Sequence, residues 1–102
     1  MRISILDRQR TLSQETREFA KRRLLFALSR FDSKIDHVSL AVTDVTGLRG
    51  RVDKSCQVTV KMRFADIRIS CAAADLEGSI ARTADRARRA VSRAVERDRQ
   101  TV

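Results

Sequence analysis

The stretch "SCQVTVKMRFADIRISC", Ser55 to Cys71, decides the fold. It holds two runs of alternation, Cys56, Val58, Val60 and Met62 in the first and Ile67, Ile69 and Cys71 in the second, separated by "RFAD". A period of two sets each group on one face of a strand, and the β-branched valines and isoleucines favour extended backbone. Two such runs in succession make an antiparallel hairpin joined through Arg63 to Asp66. Because "RFAD" lacks the glycine that a tight primed turn prefers, a four-residue loop is expected, pairing Met62 with Ile67 and Val60 with Ile69. That register leaves Cys56 and Cys71 off-pair.

Upstream, "HVSLAVTD" (His37 to Asp44) alternates in the same way, with Val38, Leu40 and Val42 inward and His37, Ser39, Ala41 and Thr43 outward. The segment "VTGLRGRVDK" between these strands holds two of the three glycines and is the main loop. "RISIL", Arg2 to Leu6, is a short strand with Ile3 and Ile5 on one face. A helix from Ser13 to about Phe31 follows. Leu12 and Ser13 serve as staple and N-cap, Gln14 and Glu15 suit the first turn, and Thr16, Ala20, Leu24, Ala27 and Phe31 recur at steps of three and four. Downstream, Asp75 caps a second helix whose inner stripe is Leu76, Ile80, Ala84, Ala87, Val91 and Val95.

The order is β-α-β-β-β-α. A right-handed crossover makes the first strand parallel to its neighbour, and two helices on the same side cover the one apolar face of every strand. The expected fold is α+β, a two-layer sandwich with a four-stranded mixed sheet and both helices on one face, as one domain over residues 1–102.

Charge narrows the function. Of 102 residues, 22 are Lys or Arg and 13 are Asp or Glu, a net charge of +9. Such an excess attracts polyanions. No apolar run approaches the ~20 residues of a membrane span, and Met1-Arg2 leads into a folded segment rather than a signal peptide. A cytoplasmic protein without a membrane partner is expected. Cys56 and Cys71, the only cysteines, have no Cys or His companion at metal-ligand spacing, so free buried thiols and no metal are expected. His37 has no triad partner beyond the adjoining Asp36, and Gly47 and Gly50 fit neither a Walker nor a dinucleotide spacing and serve a turn. No catalysis, cofactor or small-molecule substrate is therefore expected.

The arginines carry the remaining signal. On the last helix Arg82, Arg86, Arg89, Arg93 and Arg97 stand off the inner stripe, Arg88 and Arg99 add to the field, and only Glu77, Asp85, Glu96 and Asp98 oppose these seven. On the first, Arg17, Lys21, Arg22 and Arg30 face away from or flank the core. An RNA-binding basic face of Arg17, Lys21, Arg22, Arg30, Arg82, Arg86, Arg89 and Arg93 is expected, gripping phosphates through counterion release and the planar guanidinium fork. The competing reading makes these arginines solvated helix surface that pairs locally, Asp85 with Arg88 or Arg89, at about 0.2–0.5 kcal/mol each. The outward sheet face has no aromatic at the positions where a sheet stacks single-stranded bases, so that mode is not expected. Phe19 and Phe31 read as core. Phe26, beside Leu25 and off the stripe, reads as part of a wider packing face in preference to a partner patch.

The element order, the hairpin running into "AAADLEGSIARTADRARRAV", and "LSQETREFAKRRLLFALSRFDSKI" resemble the ribosome hibernation-promoting, or ribosome-associated inhibitor, family over nearly the whole chain. The motifs are Ser13, Arg17, Glu18 and Phe19 at the helix opening, Arg30 to Ile35 at its exit, and Asp75, Leu76 and Ile80. Family members usually carry tyrosine where this chain has Glu77 and aspartate where it has Ala81. The chain looks like the short type, without the dimer-forming second domain. The resemblance implies a translation inhibitor that binds the small ribosomal subunit and its rRNA in the mRNA and tRNA path. Alternatives are a binder of double-stranded or structured RNA, and a protein-interaction module of the same fold.

Overall fold

The structure, a computed structural model, describes residues 1–7, 12–46 and 52–100. Four strands, β1 (Arg2–Leu6), β2 (Ile35–Thr46), β3 (Val52–Met62) and β4 (Asp66–Ala73), form one sheet in the order β1-β2-β3-β4. β1 pairs parallel to β2 and the other pairs are antiparallel. Helices α1 (Gln14–Leu28) and α2 (Leu76–Gln100) lie on the same face of this sheet. The expected two-layer sandwich is the observed one.

The core is the meeting of three apolar sets. Val38, Leu40 and Val42 from β2 and Cys56, Val58, Val60 and Met62 from β3 face Ala20, Leu24, Ala27 and Leu28 of α1 and Ile80, Ala84, Ala87, Val91, Ala94 and Val95 of α2. Each large side chain removed from water contributes roughly 1.5–3 kcal/mol. α2 also buries Ser79 and Thr83, which an apolar stripe omits. Ser79 Oγ donates to the Cys71 carbonyl at 3.0 Å and Thr83 Oγ1 donates to the Ser79 carbonyl at 2.7 Å. With both hydroxyls satisfied, burial costs little, and the small side chains let α2 sit close on β3 and β4.

Local chemistry fixes the helix ends. Ser13 is in extended conformation and its Oγ accepts the Thr16 N–H at 3.1 Å. Ser79 N–H donates the first bond of α2 to the Asp75 carbonyl, which makes Asp75 the N-cap. The Asp75 carboxylate lies over Gly78, where a Cβ would collide with Oδ1. Glycine at position 78 therefore gives the cap its room.

The structure departs from or adds to the sequence reading at four points. First, α1 does not continue to Phe31; it tightens into a 3-10 helix over Ser29–Lys34. At three residues per turn Phe31 eclipses Leu28, which carries its ring into the core. Second, β2 and β3 are longer than the alternating runs, because their pairing continues through Val45↔Asp53 to Thr46↔Val52. The glycines expected to turn there, Gly47 and Gly50, lie outside the described residues. Third, β2 carries a bulge between Ile35 and His37, whose extra residue lets Ile35 face in while His37 faces out. Fourth, the β3–β4 hairpin pairs Val60 with Ile67 and Val58 with Ile69, two residues away from the expected register, so Cys56 stands directly opposite Cys71. A bond from Met62 N–H to the Ala65 carbonyl closes the loop at 3.0 Å. Arg63 and Phe64 form the tip, and Phe64 shares a cleft with Ala94, Arg97 and Asp98 of α2. Both thiols are free and buried, although the off-pair register from which free thiols were expected is not the observed one.

Candidate nucleic-acid interface

The layered fold leaves two broad surfaces, the outer side of the helices and the uncovered side of the sheet. The positive charge is unequally divided between them. On the sheet side, Ser4 pairs with Ser39, Thr59 with Arg68, and Lys61 with Asp66, giving a polar surface in which hydroxyls and amides outnumber charges. Ser4 Oγ and His37 Nε2 are 2.8 Å apart there, beside a cleft lined by Arg2, Ile35 and Asp36. Asp36 lines the same cleft, but among the described residues no hydrogen bond joins it to His37, so the pair is a part-buried hydrogen bond without an orienting acid.

On the helix side, Arg82, Arg86, Arg89 and Arg93 of α2 are all exposed and follow steps of four, three and four, which sets them in one stripe opposite the buried residues. Among the described residues, Arg82, Arg86 and Arg93 have no ion-pair partner. Arg89 reaches Asp85 at 3.1 Å, and Arg88 reaches the other oxygen of the same carboxylate at 3.2 Å. One carboxylate thus answers two guanidinium groups. Exposed pairs of this kind are worth roughly 0–1 kcal/mol, little enough to be exchanged for a phosphate. Arg82 and Arg86, and Arg89 and Arg93, are like charges four residues apart, an arrangement that costs a helix a few tenths of a kcal/mol per pair.

The α1 residues divide differently. Lys21 and Arg22 are exposed but leave the helix about 100° apart, so they do not share one direction. Arg17 is only 36% exposed and its Nη2 lies 3.5 Å from Asp7 Oδ2, a carboxylate 1% exposed. The same oxygen accepts the Leu12 N–H at 2.8 Å. Arg17 therefore joins the strand end to the start of α1. Arg30 lies over the Phe31 ring, 5.3 Å from its centroid, and shares a cleft with Ser92, Val95, Glu96 and Arg99 of α2.

The seam between the helices holds Arg23, which the sequence reading left out, and Phe26, which it assigned to packing. Arg23, Phe26 and Ala27 of α1 line one small groove with Ala84, Asp85 and Arg88 of α2. The clue was available: Phe19, Arg23, Phe26 and Arg30 recur at steps of four, three and four, a second stripe beside the core stripe. Phe26 is 84% exposed and Leu25 52%, so the wider packing face expected for Phe26 is not there. The core against α1 and the 3-10 turn after it is already filled by Leu24, Leu28 and Phe31.

Burial pushes the Cys56 thiol above its ordinary 9.0, the Ser79 hydroxyl lowers it in part, and neighbouring Cys71 raises it again. The thiol stays protonated at neutral pH and is a poor nucleophile. No group of three or more His, Cys, Asp or Glu that could hold a metal exists among the described residues, and none of the described helices is long and apolar enough to cross a membrane.

Comparison with solved structures places the fold. It is similar to the Thermus thermophilus Protein Y N-terminal domain, with a TM-score of 0.73 and 20% identity over 91% of this chain and 98% of that one. It is also similar to a ribosomal subunit interface protein from Coxiella burnetii, with a TM-score of 0.77 and 15% identity over 94% and 99% of the two chains. A search of curated protein sequences finds no match. In sequence, residues 3–99 match the family described as Sigma 54 modulation protein / S30EA ribosomal protein. The chain belongs to that family, the one to which the motifs at Ser13–Phe19, Arg30–Ile35 and Asp75–Ile80 pointed.

Proposed function

We propose that this protein is a ribosome-associated translation inhibitor that binds the small ribosomal subunit in the mRNA and tRNA path, holding idle ribosomes inactive. The observation that carries this reading is the exposed stripe of Arg82, Arg86, Arg89 and Arg93 on α2, in a member of a ribosomal-protein family. Arg30 extends the charge across the seam, and Lys21 and Arg22 broaden it on α1. Arg17, held by Asp7, contributes by fixing α1 and only in part by its own charge. The relative from Coxiella burnetii, a ribosomal subunit interface protein, has the same fold and supports the same partner.

The mechanism is occlusion. A rigid sandwich whose arginines engage rRNA phosphates fills space that mRNA and tRNA need, and no bond is made or broken. Phosphate contacts require charge and position but no base sequence, which suits a surface built from arginine on a helix. The role is non-enzymatic and cytoplasmic, and uses neither cofactor nor small-molecule substrate.

The test is sedimentation of a lysate through a sucrose gradient, probing for this chain, followed by pelleting of the purified protein with small subunits. The expected result is migration with small subunits and inhibition of cell-free translation. A chain that stays at the top of the gradient and shifts a plain RNA duplex instead would establish the double-stranded RNA reading.

A further inference from the structure

Phe26 is the feature that a purely electrostatic surface does not use. The chain has four phenylalanines and neither tyrosine nor tryptophan. Phe31 is buried, Phe19 packs against the core, and Phe64 sits at the hairpin tip beside α2. Phe26 alone stands out from the helical layer, 84% exposed, at a groove of about 70 Å³ on the seam with α2. Arg23 and Arg88 line the same groove, and Arg88 is already turned toward it through Asp85 at 3.2 Å.

An aromatic ring flanked by guanidinium groups has a specific chemical complement. Its π-face accepts a flat base, while the neighbouring cations take the phosphates on either side. We infer that Phe26 is a stacking platform for one unpaired nucleobase of an RNA, with Arg23 and Arg88 holding the adjoining backbone. This rests on the ribosome-binding reading above and adds a contact to it. Charge decides among the occupants. A second copy of this chain would bring its own arginines, at net charge +9, against Arg23 and Arg88. An apolar protein segment would cover Phe26 and Leu25 but leave Arg23 unanswered, and Arg88 with only the Asp85 carboxylate that it shares with Arg89. A nucleotide answers both.

The lack of tryptophan makes the test direct, because Phe26→Trp would install the only tryptophan in the chain. Affinity for purified small subunits is measured for the parent, Phe26→Ala, Phe26→Leu and Phe26→Trp, each with a thermal melt. At so exposed a position all four are expected to melt alike. Phe26→Ala and Phe26→Leu are both expected to bind about tenfold to a hundredfold more weakly, the range of one lost base stack. Their salt dependence should match the parent's, since no charge has changed. Phe26→Trp is expected to keep its affinity and to lose emission on binding, as a stacked indole does.

Parent-like affinity in Phe26→Ala would overturn the inference. So would full affinity in Phe26→Leu, which would mean an apolar contact with protein, or a parent dimer in sedimentation velocity that Phe26→Ala dissolves. If these variants bind like the parent while charge reversal on α2 abolishes binding, the stacking inference alone fails. If the parent does not bind subunits, the ribosome-binding reading fails and takes this one with it.

Discussion

The two outer surfaces of this sandwich are both polar, yet they are made differently. The sheet side presents Ser4, Ser39, Gln57, Thr59 and Ser70, with Arg2, Lys61 and Arg68 spread among them and Asp66 opposite Lys61. The helix side presents arginines at helical spacing, one acid shared by two of them, and an exposed aromatic ring. The first is what solvation of a sheet requires. The second costs stability through like-charge repulsion along α2, and among the described residues Arg82, Arg86 and Arg93 have no ion-pair partner to offset it. Exposed arginines that repel one another and lack an ion-pair partner among the described residues are better explained by an external partner.

Charge reversal is the strongest way to break this contrast. Arg86→Glu with Arg93→Glu should reduce affinity for small subunits by about a hundredfold or more, because two attractive contacts become repulsive. The same variant should melt at or slightly above the parent, since each glutamate relieves repulsion from Arg82, Arg89 or Arg97. Lys61→Glu with Arg68→Glu on the sheet side, measured in the same assay, should stay within about threefold of the parent. Equal losses from the two pairs would erase the distinction between the surfaces.

A smaller effect separates the anchored arginine from the free ones. Arg17→Ala removes one of the partners of a buried carboxylate and should lower stability by on the order of 1–3 kcal/mol, visible as a lower denaturant midpoint at unchanged slope. Arg86→Ala should leave the midpoint within about 0.5 kcal/mol of the parent's. If Arg17→Ala melts like the parent, Asp7 is held by its other contacts and Arg17 rejoins the exposed set.

The smallest effect concerns the strands beneath. The Cys56 thiol ionises above 9.0 when folded and at its ordinary value when unfolded, so the unfolded chain releases its proton first as pH rises. The associated stability is fully present below pH 9.0 and declines above it. The drop in melting temperature between pH 8 and pH 10 should be larger for the parent than for Cys56→Ala. Alkylation should label both thiols only after denaturation. A pH response identical in the two proteins would mean the thiol is not desolvated as described.

Element order, the inner stripes and the starts of both helices were legible because each rests on local periodicity or on a residue type that favours the N-cap. The hairpin register was not. A shift of two residues keeps Val58, Val60, Ile67 and Ile69 on the same face, so the alternating pattern is equally satisfied by either pairing and the loop alone decides. Ser79 and Thr83 escaped because their hydroxyls bond to backbone carbonyls, which hides polar residues inside an apolar face. The candidate site was legible on α2, where arginines repeat at three and four. It was less so on α1, where the pairing of Arg17 with Asp7 and the seam position of Arg23 and Phe26 depend on elements far apart in sequence.

The most direct measurement is the salt dependence of small-subunit binding for three proteins: the parent, Arg86→Ala with Arg93→Ala, and Lys61→Ala with Arg68→Ala. Each phosphate neutralised contributes roughly 0.7–0.9 to the slope of log affinity against log salt. A steep slope is expected for the parent, a slope shallower by about 1.4–1.8 for the helix pair, and an unchanged slope for the sheet pair. A flat parent slope, or a slope reduced by the sheet pair and untouched by the helix pair, would contradict binding through the helical face.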